Sequence, residues 1–553
     1  MKMSKHYLLK FAMPVFAAVA MMFTSCSSCS SDKDSESSDS AELLVPKNAY
    51  CVANVNLGTL WSKGGLSNFE SLKTYSMFRD EIESIPSEKY KNLIYSLMRD
   101  PSTSGINTDK DILAFASREG DALMIGVTAS IKNKGDFNEF MASLQDVTGF
   151  KPKSGKGFDY IKLDKEVLLT YNDQNIALVV ATDRKGRDLM EKYAASLFSM
   201  DNSGSILSNS NFNEYWNNHK EIGFYVALDN LFGDEKIAAS ATHEMKREMR
   251  RNAGISEEDF DKAFDMLKKA SCYYTLAFEN GSIDMQCKVL GAPSDLDAMG
   301  DGISTTLMRF MPENTLAAAS ISLNLSKLVN KLEENVEVSR ALDERIEGSP
   351  YTVRDIVNTF GGNVVASFYG MSYDGKPLFA VAADLNDRSL VSNLVSAISI
   401  DSYRNVYLIN NDIPLYLYFD DNTVALTDDA GAAERYTTGG YSDGLGNIAD
   451  NAQKGNYIYL DLKLRDYPST LLDRIGYRYN PGLDQILSLF DNIEIIANKD
   501  NSASIRINFT DNRNSLDAMV RTLDNLISNG LFFGGNVEYS NYDYPAADTV
   551  MYY

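Results

Sequence analysis

Four short blocks of sequence occur twice in this chain, in the same order, and this repetition constrains the fold more than any other feature. The paired blocks are residues 46–57 and 312–323, 173–178 and 421–426, 225–229 and 457–461, and 296–299 and 516–519. The last pair reads Leu-Asp-Ala-Met in both places. Because four blocks recur in one order, the sequence predicts an internal duplication, with a first half at residues 43–309 and a second half at residues 310–553.

The spacing of apolar residues predicts short strands and a few helices in each half. The strands of the first half are expected at residues 52–57, 113–117, 123–129, 167–171, 176–180 and 224–228. A helix is expected through Phe137, Met141 and Leu144, and another from the capping box at Ser256 to about Lys269. The connections are short and rich in Gly, Asn and Asp, which is typical of antiparallel hairpins. The predicted fold class is α+β, in which two related halves each form a mainly antiparallel sheet with packed helices.

One hairpin can be predicted residue by residue. A two-residue turn at 280–281 places Cys272 opposite Val289 and Cys287 opposite Tyr274. In that register the two faces separate apolar from polar side chains, which selects the register strongly because a slip by one residue would exchange the faces. The face expected to be buried consists of Cys272, Tyr274, Leu276, Phe278, Ile283, Met285, Cys287 and Val289.

The cysteines of the folded part are expected to stay reduced. On the predicted hairpin Cys272 and Cys287 lie diagonally, about 7–8 Å apart, which is too far for easy bridging. We expect both residues, and Cys51, to be core residues with free thiols.

The first 25 residues have the features of a signal peptide. Lys2, Lys5 and Lys10 precede an apolar stretch at residues 11–23, and Cys26 follows two small polar residues. The stretch is shorter than the roughly 20 residues of a membrane-spanning helix. The motif resembles the site at which a bacterial lipoprotein is cleaved and its cysteine acylated, with palmitate as a typical acyl group. We therefore predict lipidation of Cys26.

Residues 26–42 are rich in Ser, Asp and Glu and predict a disordered tether. Cys29, within it, is a minor alternative lipidation site. The acidic, serine-rich run also resembles a surface-export signal of Bacteroidota lipoproteins, and a plain solvated linker is the other interpretation. The expected location is therefore the outer membrane, with the protein facing either the periplasm or the cell surface.

Charge excludes one class of partner. The chain has 53 basic and 76 acidic residues, a formal net charge of -23. Nucleic acid is bound by clustered Lys and Arg, so an acidic chain with dispersed charge is not expected to bind it. The sequence predicts a membrane contact through the lipid and an unknown extracytoplasmic ligand, either a glycan or an envelope protein. The Tyr-rich C-terminal tail is expected to be a loosely docked terminus.

The sequence contains no recognisable catalytic, metal-binding or cofactor-binding motif, so we assign no such residue and no cofactor. His243-Glu244 has the start of a zinc-protease helix, but Arg247 stands where the second histidine is required. His219 has no motif around it. Acidic pairs such as those at 420–421 and 428–429 are common at this composition, and acid-base pairing depends on distances that sequence does not give.

The chain resembles a family of Bacteroidota lipoproteins of unknown function. The resemblance rests on residues 44–49, on the repeat of this segment at Pro312, and on the predicted signal and lipidation site. The resemblance implies one large duplicated extracytoplasmic domain and carries no catalytic residues. We therefore expect a lipid-anchored envelope protein with a non-enzymatic binding or structural role. The alternatives are a surface glycan-binding accessory protein and a carboxylate-dependent hydrolase of envelope or dietary polymers.

Overall fold

The computed structural model describes residues 40–234, 261, 264–265, 268–291, 299–300, 302–333, 336–346, 350–410, 414–464, 467–474, 477 and 480–531. Within these residues twenty strands form one sheet. The strands before residue 310 are β1 (Cys51–Val55), β2 (Ile112–Glu119), β3 (Ala122–Ser130), β4 (Lys153–Ser154), β5 (Asp159–Lys162), β6 (Val167–Tyr171), β7 (Asn175–Ala181), β8 (Ile222–Val226), β9 (Ser271–Glu279) and β10 (Ser282–Leu290). The strands after residue 310 are β11 (Ala317–Ser322), β12 (Phe360–Met371), β13 (Pro377–Leu385), β14 (Asp401–Tyr403), β15 (Val406–Asn410), β16 (Leu415–Phe419), β17 (Thr423–Thr427), β18 (Asn456–Asp461), β19 (Phe490–Ala497) and β20 (Ser502–Phe509).

The two sets of ten strands have the same order. The first set runs β4-β5-β6-β7-β3-β2-β1-β8-β9-β10 across the sheet. The second set runs β14-β15-β16-β17-β13-β12-β11-β18-β19-β20, and all of these pairs are antiparallel. The α+β class with mainly antiparallel pairing is confirmed. The origin of the two halves by duplication stays a prediction.

The two sets meet where β10 pairs with β20, and this pairing is symmetric. It joins Asp284 to Arg506, Gln286 to Ser504 and Lys288 to Ser502. An approximate two-fold axis, perpendicular to the sheet, therefore passes between Gln286 and Ser504 and exchanges the two strands. Such a rotation keeps each face on its own side, so equivalent faces of the two halves lie on the same side of one continuous sheet.

The helices fall into two groups along the chain. Those before residue 310 are α1 (Leu57–Lys63), α2 (Tyr75–Glu83), α3 (Glu88–Arg99), α4 (Lys134–Thr148), α5 (Arg184–Phe198), α6 (Ser210–Asn218), α7 (Leu228–Gly233) and α8 (Thr305–Met308). Those after it are α9 (Leu325–Glu333), α10 (Val336–Leu342), α11 (Val353–Thr359), α12 (Ser389–Ile398), α13 (Ala430–Tyr436), α14 (Ala449–Ala452), α15 (Ser469–Arg474), α16 (Pro481–Leu487) and α17 (Ser515–Ser528). None of these described helices is long and apolar enough to cross a membrane.

Each half has its main core on the same side of the sheet, which we call the helix face. In the first half this core includes Val52, Leu113, Phe115, Met124, Tyr193, Phe212, Tyr215, Tyr225 and Tyr273. In the second half it includes Phe310, Ala318, Val365, Ala380, Ala382, Ala425, Tyr436, Tyr457 and Tyr459. We call the other side the open face. Smaller clusters cover parts of it under α4, α12 and α17, and the last of these lies over one end of β9, β10, β19 and β20.

The predicted first-half strands are found with small shifts. The largest shift is that of the last strand, which ends at Val226 because α7 begins at Leu228. The helix predicted through Phe137 is α4, whose start is capped by Asn133. One repeated block was aligned two residues out of register: Tyr225 lies opposite Val52, and Tyr459, not Tyr457, lies opposite Ala318.

The register of the predicted hairpin is confirmed, whereas the assignment of its buried face is wrong. Val289 pairs with Cys272 and Cys287 with Tyr274, as expected. However, Tyr274 is 54% exposed and Val289 40% exposed, while Tyr273 on the other face is buried. The reason is tertiary: α6 packs on the helix face, so an apolar pattern alone did not identify the covered side. Of the predicted apolar face, only Phe278 and Ile283 are buried, in the cluster under α17.

The cysteine predictions have a mixed outcome. Cys51, Cys272 and Cys287 are free, as predicted, but they are half-buried rather than core residues. Burial raises the pKa of Cys51 and of Cys272. Raised thiol pKa values keep these groups protonated and poorly reactive.

Several predictions concern residues outside the described ranges. These are the signal peptide at 1–25, Cys26 and Cys29, the helix start at Ser256, the Leu-Asp-Ala part of the repeat at 296–298, and the tail at 532–553. The predicted tether overlaps the description only at residues 40–42. There Ala41 is buried, 4% exposed, in a short 3-10 helix, so residues 41 and 42 belong to the folded part, and the tether itself stays a prediction.

Candidate functional site

A cleft of about 850 Å³ opens on the helix face of the second half. It lies between the start of β11, the β12–β13 hairpin and α13. Its lining residues are Pro312, Asn314, Tyr369, Gly370, Met371, Leu378, Asp429, Gly431, Ala432, Glu434, Arg435, Thr438, Tyr441 and Pro468. Clefts of this size that combine apolar walls with a few polar groups are typical of binding sites for small molecules.

The cleft exists because α13 is short. It has 7 residues, whereas α5, which follows the equivalent strand of the first half, has 15 residues. Two glycines in the left-handed region follow α13, Gly439 at φ 104° and Gly440 at φ 92°. A Cβ on Gly440 would lie 2.3 Å from the carbonyl oxygen of Arg309. The chain therefore leaves the helix at a position that favours glycine, and Tyr441 turns into the cleft wall.

In the first half the longer helix fills this space. Tyr193 of α5 is fully buried, and its hydroxyl lies 2.5 Å from that of Ser117 on β2. Tyr369 of β12 occupies the position equivalent to Ser117. In the second half, Tyr369 therefore lies on the strand and faces an open space. In the first half, Tyr193 lies on the helix and faces a closed core.

Asp429 organises one wall of the cleft. Its Oδ1 accepts the N–H of Gly431 at 2.8 Å, which caps the start of α13. Its Oδ2 accepts the hydroxyl of Tyr369 at 3.2 Å, and that hydroxyl also lies 3.3 Å from Oγ1 of Thr427. Burial raises the pKa of Tyr369 well above its usual range. The hydroxyl thus stays protonated and donates to Asp429.

A cation–aromatic pair forms another part of the lining. The guanidinium of Arg435 lies over the ring of Tyr441, 4.9 Å from its centre. Burial raises the pKa of the Tyr441 hydroxyl, although the charge of Arg435 acts in the opposite direction. Glu434 directly precedes Arg435 on α13 and is exposed. An aromatic surface therefore lies beside a fixed positive charge and a carboxylate.

The neighbouring carboxyl group of Asp428 does not line the cleft. Its Oδ1 accepts the N–H of Phe379 at 2.9 Å, and burial raises the pKa of Asp428. The sequence placed the pair 428–429 among many ordinary acidic pairs. The cleft could have been suspected from the short apolar run after Asp429 and the Gly-Gly at 439–440, which together predict a truncated helix.

His219 lies in the first half, away from the cleft. Its Nε2 is 3.0 Å from Oδ2 of Asp111, its Nδ1 contacts the carbonyl oxygen of Trp216, and its ring stacks on that of Trp216 at 4.0 Å. Both ring nitrogens are therefore engaged, which suits a structural role better than proton transfer. His243 lies outside the described residues. The pair 420–421 is used in ion pairs, with Arg309 and Arg388.

Within the described ranges, no group of three or more His, Cys, Asp or Glu side chains could hold a metal ion. The cleft side chains are instead suited to hydrogen bonding and stacking.

Comparison with other proteins gives a family and little more. No curated protein matches this chain. A solved structure titled "Structure of crystal form III of TP0453" is 8% identical, covers 73% of this chain and 98% of its own, and has a TM-score of 0.19. That score carries no argument about fold or function. Residues 42–512 match the family described as "Domain of unknown function (DUF4836)". This match spans most of the 553 residues, and the chain belongs to the DUF4836 family.

Proposed function

We propose that this protein is a lipid-anchored protein of the cell envelope whose second half binds a ligand in the cleft, without catalysing a reaction on it. The anchor is supported by the lysines, apolar stretch and Cys26 of the N-terminus. The binding role is supported by one observation above all. Tyr369 and Tyr441, two carboxylates and a guanidinium line one opening of about 850 Å³.

The chemistry of the lining favours a neutral, hydroxyl-rich ligand such as an oligosaccharide. Tyrosine offers a flat apolar face and a polar edge, which suit the C–H and O–H groups of a sugar ring. Asn314, Glu434 and Thr438 supply donors and acceptors around that face. An anionic ligand would meet two carboxylates and only one guanidinium in the cleft, and a chain of net charge -23.

A hydrolase of polymers is the other candidate, and the geometry supports it less. Hydrolysis of a glycoside uses two carboxyl groups, one of them free to give or take a proton. Both oxygens of Asp429 already accept hydrogen bonds from within the protein. Glu434 is then the one remaining carboxylate among the described lining residues, so the arrangement fits binding better than catalysis.

Binding can be tested with the full chain in detergent and a panel of neutral, acidic and basic oligosaccharides, by calorimetry. We expect neutral ligands to bind best and Tyr441→Ala to weaken binding at least tenfold, about 1.4 kcal/mol. Tyr403→Ala is the matched control, because Tyr403 also carries an arginine over its ring, Arg404 at 5.3 Å, but lies on the edge strand β14. Equal losses in both variants, or product formation from a polymer, would contradict the proposal.

The anchor is tested separately. Cys26→Ala should abolish incorporation of labelled fatty acid and release the protein from membranes. Cys29→Ala is the control and should change neither. Continued labelling of Cys26→Ala together with loss in Cys29→Ala would move the anchor to Cys29.

A further inference from the structure

The open face carries two continuous rows of apolar side chains across the joint between the halves. Directly paired residues of neighbouring strands share a face, so each row follows from the strand pairing. The first row is Val127, Ala114, Ala53, Phe224, Tyr274, Cys287, Ala503 and Ala497, and it ends at the polar Asn456. The second row is Ile112, Val55, Ile222, Leu276, Met285, Ile505, Ile495, Ile458, Ala319, Ala366 and Val381. Neither row of described residues contains a charged side chain.

The approximate two-fold axis relates the rows to each other. It exchanges Ala53 with Ala319 and Phe224 with Ile458, as the equivalent strand pairings require. An apolar patch that is nearly symmetric about its own centre is therefore built from both halves. The helix face at the same joint is different, because Asp284 and Arg506 form an ion pair there.

Large apolar side chains on the open face remain accessible. The exposed fractions are 38% for Ile125, 41% for Phe224, 54% for Tyr274, 40% for Val289, 48% for Ile321, 37% for Val364, 52% for Ile458 and 41% for Leu460. With about 200 Å² for a fully exposed large side chain, these eight alone present roughly 700 Å². The largest apolar patch on a typical monomer is about 300–600 Å².

The area corresponds to what a second copy of the chain would cover. A standard stable interface takes about 800 Å² from each partner. The eight side chains supply most of that area, and the half-buried Ala, Cys and Ile residues between them supply the remainder. Two sheets with the same twist pack face to face at about 30°, roughly 10 Å apart. That separation is close to the diameter of a helix, about 10–12 Å, so the helices that lie on parts of the open face, α4, α12 and α17, flank the contact.

The two rows on the open face carry no charge that would oppose contact between two copies. Two chains of net charge -23 repel each other wherever their charged surfaces meet. The two rows form an uncharged surface on which such chains can approach. We infer that the open face is a self-association surface, on which a second copy of this chain packs sheet against sheet, centred on β9, β10, β20 and β19.

The inference is tested by the oligomeric state of the full chain in detergent, measured by sedimentation. We expect a dimer, and we expect Tyr274→Lys to raise its dissociation constant at least tenfold. Gln286→Lys is the matched control, because Gln286 is exposed on the adjacent strand but points to the helix face. A chain that is monomeric at every concentration, or a dimer that both variants leave intact, would overturn the inference.

A second measurement remains informative if Tyr274→Lys fails to fold. In a background with Cys29, Cys51, Cys272 and Cys287 replaced by Ser, Ile458→Cys should give a covalent dimer with a bismaleimide in intact cells. Gln286→Cys in the same background should remain monomeric. Cross-linking of Gln286→Cys without Ile458→Cys would place the contact on the helix face and refute the inference. Cross-linking to a different protein would identify another partner for the open face and would likewise refute it.

Discussion

The first and second halves share a sheet and differ in the helices that cover it. α5 has 15 residues and α6 has 9, whereas α13 and α14, which precede the equivalent strand, have 7 and 4. In the first half the longer helices bring Tyr193, Phe212 and Tyr215 into a closed core. In the second half the shorter helices leave a cleft. Strand pairing thus determines how the halves join, and helix length determines which half has room for a ligand.

The largest expected difference in unfolding free energy is between a substitution in the filled core of the first half and one in the cleft wall of the second half. Tyr193→Ala should cost about 3–5 kcal/mol of unfolding free energy, because it leaves a large cavity in a closed core. Tyr441→Ala should cost less than about 1 kcal/mol, since its ring borders a space that is already open. Denaturant unfolding of both variants checks the difference. Similar losses would mean that the cleft wall is packed as tightly as the core.

A second difference between the halves is the polar network around His219. His219→Gln should cost about 2 kcal/mol, because it removes the hydrogen bond to the nearly buried Asp111. The second half has Asn363 at the position of Asp111. Asn363→Ala should cost less, because the half-buried Asp384, which accepts the amide of Asn363, keeps the backbone N–H of Asn363 as a partner.

The pH dependence of this network has a definite sign. Burial lowers the pKa of His219, but the hydrogen bond and charge of Asp111 outweigh it, and the pKa is raised overall. A raised pKa means that the protonated form is favoured by folding. The stabilisation is therefore complete below the unfolded pKa, near 6.5, and is lost as the pH rises through the folded value. The difference in unfolding free energy between the native chain and His219→Gln should therefore shrink as the pH rises across this range.

The halves differ in predictability for physical reasons. Alternation of apolar residues located the strands, and the turn at 280–281 fixed the register of β9 and β10, because both signals are local. The prediction of which side of that hairpin is buried was wrong, since the buried side depends on where α6 packs. The cleft was missed for a similar reason: Asp429 and Tyr441 are twelve residues apart and become neighbours only because α13 stops early. Apart from the repeat itself, no feature of the sequence predicted that β10 pairs symmetrically with β20.

Substitutions in the ion pairs at the joint between the halves should change the unfolding free energy less. Nε and Nη2 of Arg506 lie 2.8 and 2.7 Å from the two carboxylate oxygens of Asp284. The Arg506 side chain is 54% exposed, so water screens the pair, and Arg506→Ala should cost about 1 kcal/mol. Lys288 occupies the equivalent position and makes two separate ion pairs, with Glu214 and Asp500. Because it lacks a bidentate geometry, Lys288→Ala should cost about half as much in chemical denaturation.

The smallest expected difference in stability is between two helix N-caps that make the same hydrogen bond in different surroundings. Asp183 accepts the N–H of Gly186 at the start of α5, and Asp429 accepts that of Gly431 at the start of α13. Asp183→Ala and Asp429→Ala should each cost about 1 kcal/mol, the usual value of an N-cap. The hydroxyl of Tyr369 keeps Thr427 as a partner, so losing Asp429 adds little to that cost.

Ligand binding should separate the two caps where stability does not. Asp429→Ala frees the hydroxyl of Tyr369 and removes a wall of the cleft, so it should weaken binding of a neutral oligosaccharide severalfold. Asp183→Ala has the same capping defect in the half whose space is filled, and should leave binding unchanged. Calorimetric titration of both variants, at matched folded fraction, measures this. If both variants weaken binding equally, the titration reports a general loss of stability of the sheet. The proposal that only the second half binds the ligand would then be contradicted.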